Sequence, residues 1–304
     1  MDVVGLGYCV WDSLVLVRRI PEWDDPQPEF ALDFAPSGGG PVATALVTLA
    51  RLGATVGFIG NVGDDDAGQS IRQALTAEQV NLDRLRVLHD VQSRQTTVLV
   101  QAETGKRSFL SYPGSVGDVS LGPADRAYIT AARFLHLDGL YMAEATKAAR
   151  WMRQAGGEVV YDANRPKEGL PELLPHISVL ISNASFPTAY TGLASVEQAA
   201  QRLLDLGPRL VVVTLSEQGC LCFSRQENLA VVGFEVPVLD TTGAGDAFHG
   251  AFIYGMLQGW STQQTALFAN AVAAINCTGL GGRAALPSQQ QTMEFLSSRG
   301  CGWQ

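Results

Sequence analysis

Asp240-Thr241-Thr242-Gly243-Ala244-Gly245-Asp246-Ala247-Phe248-His249-Gly250 is the stretch on which the reading of this chain turns. Small residues lead into one acid, and an apolar helical pattern follows at once. A glycine turn lets successive backbone N–H groups converge. A helix that begins there adds amides without intrahelical partners and the positive end of its dipole. The expected product is an anion hole, suited to a phosphate or to charge developing on a transferring phosphoryl group. Asp246 stands at its mouth, placed to take a proton from a hydroxyl nucleophile. An acid beside an anion hole is electrostatically unfavourable unless it reacts. The plain alternative is an acidic helix cap after a glycine turn.

Around this stretch the chain alternates short apolar runs with helical patterns. Residues 134–138, 159–162, 179–182 and 210–214 read as buried strands. Helices are expected over 142–154, 197–206, 245–257, 262–278 and 288–298, with a shorter element near 171–175. Such alternation predicts a mainly parallel, doubly wound α/β sheet flanked by helices. The first part adds strands at 3–8 and 55–60 and helices at 42–52 and 67–77. A late hairpin is expected over 220–223 and 230–234. Residues 14–36 carry Pro21, Pro26, Pro28 and Pro36 and look like short edge strands. Residues 95–102 and 108–112 flank Thr104-Gly105-Lys106, a hairpin pattern. Residues of about 13–36 and 92–113 therefore predict a small separate β-sheet. Its economical place is over the carboxyl edge of the main sheet, as a lid. No linker or repeat interrupts residues 1–304, so one domain with this lid inserted is expected.

Asp240-Thr-Thr-Gly-Ala-Gly-Asp-Ala-Phe248 resembles the C-terminal signature of the PfkB/ribokinase family of ATP-dependent sugar kinases. The family is built as a ribokinase-like sheet with a β-sheet lid, so the resemblance extends over nearly the whole chain. It implies that Asp246 is the catalytic base and that Gly243, Ala244 and Gly245 hold the transferring phosphate. It also implies ATP and Mg²⁺ as cofactors. Asp12, placed at the end of the first strand, would accept hydrogen bonds from two vicinal sugar hydroxyls, or else be a solvated loop acid. Gly38-Gly39-Gly40-Pro41-Val42-Ala43-Thr44-Ala45 resembles the family's N-terminal signature. It implies that Gly39, Gly40 and Thr44 meet the acceptor. Ribokinases carry Asn where this chain has Thr44. The form of this segment, with residues 62–68 and Cys277-Thr278-Gly279-Leu280-Gly281-Gly282-Arg283-Ala284, is most similar to the sulfofructose kinase branch. The lid stretch from Gly105 to Ser120 is similar to ketohexokinase. A ketohexose-like acceptor is implied. A sulfonated one needs fixed cations. Ser111 and Leu140 stand where donors would be useful, Pro28 sits in the first lid segment, and Arg107 and Lys106 are the lid cations that stand out, so a sulfonated acceptor is not expected. Arg107 is the lid residue expected to close on the substrate.

Asp162-Ala163-Asn164-Arg165 resembles the family's D-x-N-x-R turn facing the phosphates. Asn183 begins what is often N-x-x-E, whose Glu helps place Mg²⁺; here the fourth residue is Phe186. Thr214, Ser216 and Gly219 lie where ribokinases hold the nucleotide. Asn270, Ala273 and Ala274 would flank the adenine or simply pack a helix. Asp240 and Thr242 are candidates for a K⁺ site beside the anion hole. His249, three residues after Asp246, reads as a packing residue rather than the base.

Gly5-Leu6-Gly7 also opens like a dinucleotide fingerprint, but the third glycine of that pattern falls at Val10, which speaks against a dehydrogenase. A nucleoside kinase of the same fold would need an apolar slot, for which Trp11, Phe30 and Tyr112 are available. A non-catalytic nucleotide-binding regulator would leave Asp246 idle.

With 304 residues, 46% hydrophobic and 17% charged, the chain can bury a large core. Its net charge of −9 argues against nucleic acid or anionic membrane as the main partner. ATP and a small sugar are the expected ligands. Free sheet edges on the lid predict a homodimer formed through it. The five cysteines are odd in number and scattered, which predicts reduced thiols. Cys220 and Cys222 are expected on opposite faces of a strand. The N-terminal residues lack a basic region and a long apolar run, so a cytoplasmic protein is expected.

Overall fold

The computed structural model describes residues 1–22, 24 and 27–302. The expectation for Pro26 lies outside them. In chain order the first half holds β1 (Val3–Leu6), β2 (Val10–Val17), β3 (Asp33–Gly39), α1 (Pro41–Arg51), β4 (Val56–Gly63), α2 (Asp66–Ala77), β5 (Asn81–Leu88), β6 (Gln95–Gln101) and β7 (Arg107–Tyr112). There follow α3 (Pro123–Thr130), β8 (Phe134–Leu137), α4 (Met142–Gln154), β9 (Glu158–Ala163), α5 (Leu170–Leu173), β10 (Val179–Asn183), α6 (Phe186–Thr191), α7 (Val196–Leu204) and β11 (Leu210–Thr214). The last part holds β12 (Cys220–Ser224), β13 (Asn228–Val231), α8 (Ala244–Leu257), α9 (Thr262–Asn276) and α10 (Gln289–Ser298).

The main sheet has nine strands in the order β13-β12-β11-β10-β9-β8-β1-β4-β5. Every pairing from β5 to β11 is parallel, and β12 and β13 close one edge as an antiparallel hairpin. Its inner strands are buried on both faces, as near-continuous apolar runs require. One face packs Val42, Leu46, Phe248, Phe252 and Phe268 from α1, α8 and α9. The other packs Ile129, Met152, Phe186 and Leu203 from α3, α4, α6 and α7. The doubly wound reading is the observed one.

The second sheet has four strands in the order β3-β2-β6-β7. β2 and β6 run parallel in its middle, and each carries an antiparallel partner. Its register aligns Ser37, Asp12, Thr96 and Ser111 in one row across the sheet. The next row on the same face is Ala35, Leu14, Val98 and Phe109. Leu14 and Val98 are fully buried on that face, over Leu280.

Several expectations change. Asp12 does not end the first strand; it lies inside β2, which starts at Val10 and belongs to the second sheet. β5 and α3 escaped the periodicity reading, because β5 is a half-buried edge strand studded with Arg84 and Arg86, and Arg86 pairs with Asp125 of α3 at 2.7 Å. Cys220 and Cys222 face the same core, as a strand period of two demands for residues two apart. All five cysteines are free thiols. No helix among the described residues is long and apolar enough to cross a membrane.

Candidate active site

The loop before α8 is held by its own acid. Asp240 Oδ1 accepts from the Thr242 amide at 2.9 Å and the Thr242 hydroxyl at 2.7 Å, while Oδ2 accepts from the Gly281 amide at 2.8 Å. Asn276 donates to the Thr242 carbonyl at 3.2 Å from the buried side. Any cation at Asp240 and Thr242 would share the carboxylate with these donors. Gly243 then turns left-handed, with φ of 73°, and caps α8. A methyl group there would lie 2.6 Å from Gly282 Cα, so both the turn and the close approach require glycine. The Ala244 amide folds back to Thr241 O at 3.3 Å, and the Ala247 amide starts the helical ladder to Gly243 O at 2.8 Å. The amides of Gly245 and Asp246 have no protein partner among the described residues, and they point out of the helix start.

Across the cleft stands the second sheet with Asp12. A side chain at Gly39 would run into the Asp12 carboxylate, which leaves this approach to a bare backbone. Arg283, from the segment after α9, has both acids in its field. It is almost completely buried, and donates from Nε to Thr44 Oγ1 at 3.2 Å and from Nη2 to Gly39 O at 3.0 Å. Its Nη1 occupies the space a side chain at Gly38 would need. Arg107 reaches from β7 to the Thr241 hydroxyl, tying the second sheet to the glycine turn, and its guanidinium lies 5.6 Å from the centre of the Phe109 ring.

Burial pushes the Asp12 carboxyl up to about 7; the Arg283 charge opposes this, and Asp246 and Asp240 add to it. Asp246 is raised to about 6 by burial, against the pull of Arg283, with Asp138 raising it and Arg107 lowering it. Burial pulls Arg283 itself down to about 10, against the neighbouring acids. It stays charged near neutrality.

Both acids have folded pKa values above the ordinary 3.8. Their contribution to folding stability is therefore largest below pH 4 and is lost as pH rises through about 6 and about 7. A base, by contrast, acts only when ionised. We expect kcat/KM to climb between pH 5 and 8, along a limb spanning about 6 to 7, while thermal stability falls over the same range. A flat pH–rate profile over that range would contradict the assignment of these two acids to the reacting site.

A cavity of about 710 Å³ opens on the other side of the glycine turn. Thr214, Ser216, Gly219, Asn270 and Ala274 all line it, together with Ala244 and Gly245. Its size suits a nucleotide. The Asn270 amide is already used, donating to Val231 O and Val232 O at 3.1 Å each, so it docks α9 on β13. Asn183 does not line the cavity. Its Oδ1 caps α6, accepting from the amides of Ser185 and Phe186 at 3.1 and 3.0 Å, and its Nδ2 donates to Asn164 O at 2.9 Å. Phe186 is fully buried and stacks on Tyr190. No group of His, Cys, Asp or Glu among the described residues forms a metal cage.

His249 lies in the interior, with Nε2 3.7 Å from Asp162 Oδ1 and its ring 5.5 Å from that of His136. Burial holds its pKa well below the ordinary value, so it packs as a neutral ring. Trp11 and Tyr112 pair with Gln95 in the row next to Asp12 and so face away from it, and Phe30 is exposed. These three do not form a slot beside Asp12. Arg283 was in plain view in the Gly-Gly-Arg-Ala stretch; a lone Arg between glycines and an apolar run was its only signal. Asp138 and Arg94, which flank Tyr8 beside Asp12, carried none.

The sequence profile of the pfkB family carbohydrate kinases matches residues 8–289. The aminoimidazole riboside kinase of Salmonella typhimurium is 32% identical over 297 residues, covering 90% of this chain and 92% of its own. The ribokinase of Haemophilus influenzae is 28% identical over 269 residues, covering 85% and 87%. The solved structure of Arabidopsis thaliana ribokinase, complexed with ribose and ATP, has the same fold, with a TM-score of 0.84, 24% identity and coverage of 97% and 98%.

Proposed function

The chain belongs to the pfkB family of carbohydrate kinases, and from that premise we propose that it phosphorylates a primary hydroxyl of a small, ketohexose-like sugar with Asp246 as the base. It is an ATP-dependent phosphotransferase of the sugar and nucleoside kinase kind. One observation carries the finer reading: Asp246 shares the start of α8 with two unclaimed amides and lies, with Asp12, in the field of the buried Arg283. Asp12 accepts hydrogen bonds from acceptor hydroxyls and orients them. Asp246 accepts the proton of the reacting hydroxyl. The amides of Gly245 and Asp246, with the α8 dipole, hold charge on the transferred group. Arg107 adds a cation from the second sheet, which acts as a lid and keeps water out. Mg²⁺ would neutralise phosphate charge, held by phosphate oxygens and water, since Phe186 replaces the carboxylate seen in the usual motif. Potassium has no part in this reading.

Acceptor-dependent ADP formation tests it, with ketoses, pentoses and nucleosides as acceptors. One ketohexose should stimulate ADP release well above the ATPase background. If no sugar or nucleoside does so, the kinase reading fails and a non-catalytic nucleotide binder takes its place.

A second copy of this chain is the proposed cover for the outer face of the lid. Phe34 and Leu110, both on that face, are 58% and 77% exposed, and Tyr112 is 47% exposed. Exposed apolar side chains along sheet edges favour such pairing. Light scattering should give twice the chain mass, and Leu110→Asp should halve it. A monomeric parent would end this part of the proposal.

A further inference from the structure

Arg94 stands just ahead of β6, where its carbonyl accepts from the Trp11 amide at 3.0 Å and extends the β2–β6 ladder. It shares the parity of Thr96, which pairs with Asp12, so Arg94 projects from the face of the second sheet that carries Asp12. Its guanidinium lies over the Tyr8 ring, 5.7 Å from the centre, with the Tyr141 hydroxyl beside it. Tyr8 is within electrostatic reach of Asp138, Asp246 and Asp12, which places this corner on the same cleft as the reacting acids. Arg94 Nε is buried without a hydrogen-bond partner among the described residues, and the Tyr141 hydroxyl is its polar neighbour.

No carboxylate pairs with Arg94 among the described residues. The acid in its field, Asp138, is already claimed: its two oxygens accept from the amides of Tyr8 and Leu140 at 3.0 and 2.9 Å. Lys167 adds a second cation there, its Nζ donating to the Asp138 carbonyl at 2.8 Å. Asp162 also lies in the field of Lys167, which leaves Arg94 with Asp138, an acid whose oxygens are already taken. A half-buried guanidinium without a counter-charge is unfavourable, and its planar fork matches a carboxylate or phosphate.

We propose that the acceptor of this kinase carries an anionic group, a carboxylate or a phosphate monoester, at the end remote from the reacting hydroxyl, and that Arg94 binds it. The inference rests on the kinase reading above and names its substrate class. The polar row of Asp12, Thr96 and Ser111 holds the hydroxyls between the two ends.

Three matched acceptors test it: D-fructose, its carboxylate counterpart 2-keto-D-gluconate, and its phosphate counterpart D-fructose 1-phosphate. On the parent protein one of the anionic pair should have a KM about tenfold or more below that of fructose, and which one it is identifies the anion. Arg94→Met should raise that KM roughly 10- to 100-fold, the range for a hydrogen bond to a charged group. Its kcat should stay within about twofold, as should the KM for fructose, and Arg94→Lys should recover part of the loss. A fructose KM at or below both anionic values overturns the proposal, on the parent protein alone. So does an Arg94→Met effect equal on fructose and the anion, which is what a purely structural cation over Tyr8 would give. Should no acceptor release ADP, the kinase reading fails separately. Calorimetric titration of the same three compounds without nucleotide then decides: binding of an anion but not of fructose upholds the inference, and binding of neither anion ends it.

Discussion

Replacing Asp246 by Asn should lower kcat by roughly 10²- to 10⁴-fold, the range that a positioned general base contributes. The substitution keeps shape and removes only the proton acceptor. ATP binding should change little, because the cavity proposed for the nucleotide is lined by Thr214, Ser216, Gly219 and Ala274 and not by Asp246. KM for the acceptor should also move little, since Asp12 and not Asp246 is assigned to orient it. The decisive comparison is kcat against the dissociation constant for ATP, from steady-state kinetics and equilibrium titration. Turnover near the parent level with a good acceptor would remove Asp246 as the base. A joint loss of ATP binding and turnover would mean that the turn had collapsed instead.

Replacing Arg283 by Met should have two effects of different kinds. Arg283 is the leading charge that opposes the upward push of burial on both Asp12 and Asp246. Without it, both carboxyls rise further, and the acid limb of kcat/KM moves to higher pH. Activity at pH 7 falls because less of the base is ionised. The substitution also strips hydrogen bonds from Gly39 O and Thr44 Oγ1. Breaking such a buried, charged arrangement from one side costs about 3–5 kcal/mol, which urea denaturation would register as a lower midpoint. Arg283→Lys separates the two effects. It restores a charge, and with it part of the pH limb, but not the fork that bridges the two backbone segments. An acid limb that stays in place in Arg283→Met would show that this guanidinium does not tune the two acids.

The glycine turn and Asp246 were legible because everything that defines them is adjacent in the chain. Gly243 must adopt φ of 73°, the apolar helix must follow, and the acid must fall in its first turn. The alternation of short apolar runs and helical patterns was legible for the same local reason, and it placed β8 to β11 and α8 to α10 within a few residues. β5 and α3 were not, because an edge strand that pairs its arginines with a neighbouring helix shows neither period cleanly.

The candidate site divides in the same way. Thr214, Ser216, Gly219 and Ala274 line one cavity, since each sits at a strand end or on a helix whose position the pattern already set. Asn183 and Asn270 carried the right chemistry, but their amides are taken by a helix cap and by two strand carbonyls. No local pattern separates a free amide from an occupied one.

By itself, then, the sequence determined the doubly wound class, the helix that begins at the glycine turn, and the acid in its mouth. These depend on backbone preference and on hydrophobic period, both properties of short segments. Tertiary structure alone decided that Asp12 faces the cleft from inside β2, and that Arg283 reaches Thr44 from 239 residues away along the chain. It also decided that Arg94 pairs with no carboxylate among the described residues. Those outcomes depend on which charges are buried together and which are left unpaired. Burial and pairing exist only once distant segments have packed, because the energy of a charge is set by its surroundings and not by its neighbours in the chain.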